Sequence, residues 1–164
     1  MKAITIKQPW AHLICAGIKS IENRTWRPNF RGQILIHASA SPVKAETFGA
    51  IFSSEQMWQL SYIGLDFGSI FKGGDKVCSA IIGSVRIVDS VQNYPSVWAE
   101  KGVWNWVLDK PVLFANPILE VKGKLSFWEY EKLFECGGCG GIFDIDRIGR
   151  NGGCFMCDPE PFRK

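Results

Sequence analysis

The chain has 164 residues, a formal net charge of +3, 46% hydrophobic and 21% charged residues. That composition excludes a disordered chain, and the length allows one domain whose core needs no disulfides. So small a positive charge leaves room for a local basic groove but does not announce a nucleic-acid binder.

No apolar run approaches the roughly 20 residues of a membrane span. The opening MKAITIKQPWAHLICAG is broken by Lys7, Gln8, Pro9 and His12 and lacks the apolar core of a signal peptide. The expectation is therefore a cytoplasmic, reducing location without membrane contact, where six cysteines read as thiols or metal ligands.

In KAITIK, Ala3 and Thr5 alternate with Ile4 and Ile6, predicting a short strand. Gln8-Pro9 ends it, and WAHLICAG places Trp10, Leu13 and Ile14 at helical spacing, with Gly17 suited to a left-handed C-cap. From Ser20 a strand alternates Ile21, Asn23 and Thr25 with Ser20, Glu22, Arg24 and Trp26. RPNFRG is a turn and QILIHAS a buried strand. Residues 42–60 read as a helix opened by Pro42 with Phe48, Ile51 and Phe52 as its apolar stripe, and the Gly-rich stretch after it as loop. KVCSAIIGSVRIVDSV predicts a long strand bent or bulged at Gly83, and VWNWVLD and PILEVKGKLSFWEY complete the strands. Many strands, few helices and Gly/Pro turns predict an α+β, mainly β chain: a small partly open barrel with helices packed outside.

Residues 136–157 carry seven glycines and four cysteines, too little apolar material for a separate core. Cys136-x2-Cys139 and Cys154-x2-Cys157 have the spacing of two zinc knuckles joined by a hairpin. Such a pair lets both thiolates reach one tetrahedral ion, and Gly140 stands where a knuckle needs positive φ and an amide donated to sulfur. With all four positions filled by protein the metal is structural, a zinc ribbon; thiolates alone also accept iron. Cys15 and Cys78 read as buried core thiols.

The segment GIKSIENRTW (residues 17–26) mixes cations, a carboxylate, an amide and an indole in a way that neither a core nor a solvated loop requires. Arg24 can hold a phosphate or carboxylate bidentately, and Trp26 offers a face for base stacking. Lys19 is a phosphate contact or, if desolvated, a base; Glu22 orients either cation or accepts from a base amino group. The competing account is an ion pair of Glu22 and Arg24 closing the barrel mouth, with Trp26 packed beneath. His37 reads more readily as a core histidine than as a ligand contact, Ser39 as a polar lining residue, and Lys101, Lys110, Lys122 and Lys124 as scattered, solvated charges.

ITIKQPWAHLICAGIKSIENRTW followed by RGQILIHAS resembles the N-terminal signature of ASCH-domain proteins, whose Gly-x-Lys-x-x-Glu-x-Arg pattern is filled by Gly17, Lys19, Glu22 and Arg24. The later strands resemble that family as well, so the likeness covers most of residues 3–128 but not the cysteine tail. It implies a PUA-like barrel over residues 1–132, with residues 133–164 as a four-cysteine extension. It also implies a cleft for RNA or a nucleoside or nucleotide, floored by the motif residues Lys19, Glu22 and Arg24, with Trp26, His37 and Ser39 as the further candidate contacts. Some small members are amidohydrolases of acylated cytidine, in which Lys19 and Glu22 would be the catalytic positions. Those members carry threonine where Glu22 stands. A third possibility is an interaction module that docks a protein through the zinc knuckle.

Overall fold

The computed structural model describes residues 1–43, 51–65, 77–144, 153–154 and 156–157. Its framework is a six-stranded sheet built from β1 (Lys2–Ile6), β2 (Ile21–Arg24), β3 (Gly32–Ala38), β4 (Ala80–Val91), β5 (Trp104–Ile118) and β6 (Phe127–Glu129). The strand order is β2-β5-β4-β3-β1-β6. β1 runs parallel to β3, and the other pairs are antiparallel. The sheet's two edges approach each other through side chains. An Arg24 Nη donates to the Thr5 carbonyl of β1 at 3.0 Å, and Trp26, just past β2, meets Phe127 of β6 edge-on at 5.3 Å. The result is the mainly β, partly open barrel expected from the strand pattern.

Helix α1 (Trp10–Cys15) covers one face. It buries Ala11, Ile14 and Cys15 against Ile4, Ile34, Ile36, Val85, Ile87 and Trp106. The end of the helix sets the course of the chain into β2. Gly17 takes φ +78°, its N–H reaches the Ile14 carbonyl at 3.0 Å, and Ile18 N–H reaches Leu13 at 2.9 Å. This is the doubly bonded left-handed C-cap anticipated from Gly17, and it turns the chain so that Lys19 lies beneath the start of β2.

The helix expected over 42–60 is interrupted. Helix α2 spans Ser54–Tyr62, and Ser53 before it is extended at φ −70°, ψ 164°. Ser53 Oγ accepts from the Gln56 N–H at 3.2 Å, and the Gln56 side chain accepts from Ser53 N–H at 2.9 Å. That reciprocal cap is legible as Ser-x-x-Gln and outweighs continuation of the helix through Phe52. Phe48 lies outside the described residues. Leu60 of α2 closes a second cluster with Leu13, Ile21, Phe52 and Trp98.

Gly83 behaves as expected. A Cβ there would lie 2.2 Å from the Val112 carbonyl oxygen and 2.7 Å from Cys15 Sγ, and the β4–β5 register shifts beside it. Two strand expectations need correction. β5 continues through Lys110-Pro111, because Lys110 absorbs the slip at φ +46°. Residues 119–126, expected to be strand, form a loop, and only Phe127–Glu129 pair, with β1.

A separate ribbon joins β7 (Leu133–Glu135) to β8 (Ile142–Asp144), with Phe134 opposite Phe143. Leu133 and Ile142 pack onto a third cluster formed by Ala3, Leu35, Ile81 and Trp128. Among the described residues no helix is long and apolar enough to cross a membrane.

Candidate functional site

Strand pairing opposes Glu22 to Trp106 and Arg24 to Trp104, so the two charged residues share one face of β2, as the alternation predicted. Glu22, 8% exposed, is a node between two cations. Its Oε2 lies 3.1 Å from Lys19 Nζ and its Oε1 3.0 Å from Arg24 Nε. The Arg24 contact is an ion pair by distance, without the alignment of a hydrogen bond. Lys19, 5% exposed, also donates to the Ile21 carbonyl, and its ammonium stands 5.9 Å from the Trp10 ring centre. Removing this carboxylate would leave both cations uncompensated.

Above this node lies a cleft of about 960 Å³. Its walls include Thr5, Ile6 and Lys7 at the end of β1, Glu22, Asn23 and Arg24 of β2, His37 of β3 and Ser39 just past it, and the loop 120–126. The loop is clasped to the barrel. His37 Nε2 lies 2.8 Å from the Val121 carbonyl, which can only accept, so Nε2 carries the proton. Thr5 Oγ1 donates to the Lys124 carbonyl at 2.9 Å, and Val121 N–H donates to the Ser79 carbonyl at 2.8 Å. Gly123 presses against the imidazole: a Cβ there would sit 2.6 Å from His37 Nδ1 and 2.8 Å from Thr5 Oγ1. His37 Nδ1 is buried with no partner, and burial holds the ring below the ordinary histidine range.

In the ribbon, the sulfurs of Cys136, Cys139, Cys154 and Cys157 all lie within 4.8 Å of one another, so together they can hold a metal ion. Cys139 and Cys154 are 3.7 Å apart. Sulfurs bound tetrahedrally at about 2.3 Å stand about 3.8 Å from each other, so the spacing fits a tetrahedral ion. Gly140 has the expected positive φ, +68°, but its amide donates to the Cys136 carbonyl and not to sulfur. The sulfur instead receives Cys154 N–H at 3.3 Å. Backbone amides of Cys139 and Cys154 hold the Cys136 thiol down to about 6, which supplies a thiolate near neutral pH.

The ASCH domain family matches residues 4–117 of the chain, most of the barrel and all of the Gly17–Arg24 motif. The chain belongs to the ASCH-domain family. Human activating signal cointegrator 1 is 22% identical to it over 152 residues, an alignment covering 85% of this chain and 24% of that protein. The chain thus spans about a quarter of the length of that relative.

In this ASCH domain, Glu22, Arg24, His37 and Ser39 of the six anticipated ligand contacts line the cleft. Lys19 is not among its lining residues and sits behind Glu22. Trp26 is not among them either: it packs edge-on against Trp106 at 4.7 Å and donates no face to the cleft, which Trp10 lines instead. Lys122 and Lys124 are exposed, as expected, but they are not scattered; the loop carries both to the cleft's rim. Glu120 supplies a second cleft carboxylate. No local signal marks these three, since their position depends on the clasp at His37 and Thr5. Cys15 is a core thiol pushed up by burial, whereas Cys78 is only half-buried. The cysteine ribbon lies beyond the matched residues.

Proposed function

We propose that this ASCH domain binds RNA or a modified nucleoside, seating a base and phosphate over the Lys19–Glu22–Arg24 node. The observation that carries the reading is the cleft's charge. Among its described lining residues, Lys7, Arg24, Lys122 and Lys124 face only two carboxylates, Glu22 and Glu120. Arg24 is held by Glu22 and by the Thr5 carbonyl, so little side-chain freedom is lost when it takes an anion. Glu22 keeps lone pairs free to accept from a base amino group, and Ser39 adds a polar contact. His37 fixes the loop that bears the rim lysines, and Trp26 supports the floor from the barrel side.

Fluorescence anisotropy with short single-stranded RNAs, competed by free nucleosides, tests this. Arg24→Ala should weaken binding by about 2–3 kcal/mol, well beyond its cost to folding. Affinity for RNA should fall shallowly with salt because few phosphates are met. If Arg24→Ala lowers only the thermal midpoint, with affinity per folded molecule unchanged, the node is structural and the reading fails.

An amidohydrolase acting on acylated cytidine is the weaker reading. Lys19 Nζ is engaged by the Glu22 carboxylate and the Ile21 carbonyl, and it does not line the cleft, so it does not face a substrate seated there. Turnover that Lys19→Arg abolishes while nucleoside affinity survives would reinstate it.

For the ribbon we propose one structural zinc on Cys136, Cys139, Cys154 and Cys157, with iron as the rival settled by native mass spectrometry. Four reduced thiols used this way suit a cytoplasmic setting. Docking of a protein by the loaded ribbon is a separate possibility, which pull-down with and without chelator distinguishes.

A further inference from the structure

On the α2 side of the barrel a groove of about 910 Å³ runs between α2 and the segment 96–98. Its walls include Trp58 and Tyr62, which are 69% and 78% exposed. They stand one turn apart on α2 and stack at 5.4 Å with an interplanar angle of 20°. Val97, 43% exposed, faces them, and Trp98 lines the groove while almost wholly buried. Two large aromatic faces left open to water cost solvation that no function of the cleft explains.

The groove's chemistry differs from that of the cleft. Among its described lining residues there is no lysine or arginine, and Glu55 is the one charged group. That argues against a nucleic acid, whose phosphates need cations. Two of its lining residues carry a buried polar atom without a partner: the Trp98 indole N–H, on a residue 2% exposed, and Gln59 Oε1. Glu55 and Gln59 lie one turn apart on the same side of α2, and a single guanidinium can serve both.

We infer that this groove binds an extended, proline-rich peptide that carries an arginine. Proline rings in a polyproline II chain lie flat against exposed aromatic side chains such as this pair, and the stiffness of that chain limits the entropy lost on docking. Its backbone carbonyls supply an acceptor for an indole N–H, while its arginine meets Glu55 and donates to Gln59. The inference is independent of the ligand taken by the cleft.

The test is fluorescence anisotropy with a labelled polyproline peptide containing one arginine, alongside a glycine–serine peptide with the same arginine and an oligouridine RNA. The proline peptide alone should saturate the groove. Trp58→Ala and Tyr62→Ala, both at exposed positions, should each weaken it about tenfold or more, and Arg24→Ala should leave it unchanged. Glu55→Lys should weaken the arginine-bearing peptide but not an arginine-free proline peptide. Circular dichroism confirms that each variant is folded. Absence of saturable proline-peptide binding overturns the inference. So does oligouridine binding that Trp58→Ala weakens, or a self-association, seen by sedimentation, that Trp58→Ala abolishes.

Discussion

In the barrel, Ile4, Ile14, Ile34, Ile36, Val85, Ile87 and Trp106 are buried in one cluster that joins α1 to four strands. In the ribbon, the fully buried residues described are Cys136 and Cys154, two thiols. Each large apolar side chain in the first group contributes about 1.5–3 kcal/mol by leaving water. Among its described residues the ribbon has no comparable source: Leu133 and Ile142 lean on the barrel, and Phe134 meets Phe143 at 6.0 Å. One region is held by area and the other by donor atoms that converge on a point. The barrel therefore tolerates a polar node at its mouth, while the ribbon's order would depend on the ion proposed between its four sulfurs.

Removing that filler is the strongest test. Cys154→Ser, or a chelator, should abolish metal retention and withdraw on the order of 10 kcal/mol of binding free energy from the ribbon alone. Amide exchange should then lose protection across β7 and β8 while β3 and β4 keep theirs. Cooperative loss of both would place the unit boundary elsewhere than near residue 132 and erase the distinction.

Glu22→Ala tests the other side. It leaves two cations beside one another, Lys19 buried and Arg24 partly so, and should cost about 3–5 kcal/mol in chemical denaturation. A loss below about 1 kcal/mol would mean water reaches Lys19 and the node contributes little.

A smaller effect comes from His37. Its folded pKa is depressed, so the unfolded chain binds the proton more readily. The stability this group contributes is complete above the ordinary histidine value, about 6.5, and is lost as pH falls through and below it. Thermal midpoints measured from neutral pH down to about 5 should fall more steeply for wild type than for His37→Gln. Equal slopes would assign the acid sensitivity to other groups.

Least of all should matter the bridge between the two regions. Arg86 reaches Glu135 of the ribbon at 3.1 Å, but both side chains are about one-third exposed. Arg86→Ala should change stability by less than about 1 kcal/mol, which a denaturant midpoint measures. A larger loss would make the regions one cooperative unit.

How much of the molecule is legible in its sequence depends on the range of the interactions. β1, α1, β3 and the face shared by Glu22 and Arg24 rest on periods of two and 3.6 and on a glycine cap, all local. The four cysteines are legible because metal spacing is local too. Lys110-Pro111 misleads by resembling a strand end where the chain only slips register. Trp26 reads as a stacking face because an indole beside a basic motif suggests one; its partners Trp106 and Phe127 lie far along the chain. The rim lysines depend on a clasp between residues 37 and 121, and nothing in the stretch around Lys122 and Lys124 announces it.

The Gly17–Arg24 segment also acts as a ruler with two gradations. Lys19 reaches Glu22 across three positions from a turn, and Arg24 reaches it across two along a strand. Each reach depends on where the glycine hands the chain from helix to sheet. Lengthening the segment by a single residue between Lys19 and Glu22 would throw the carboxylate onto the opposite side of the strand, among Leu13, Phe52 and Trp98. The segment could accordingly be grafted as a cassette into another helix–strand junction only if its count is kept whole: an added residue between Lys19 and Glu22 would part the lysine from the carboxylate, whereas one between Glu22 and Arg24 would part the strand pair.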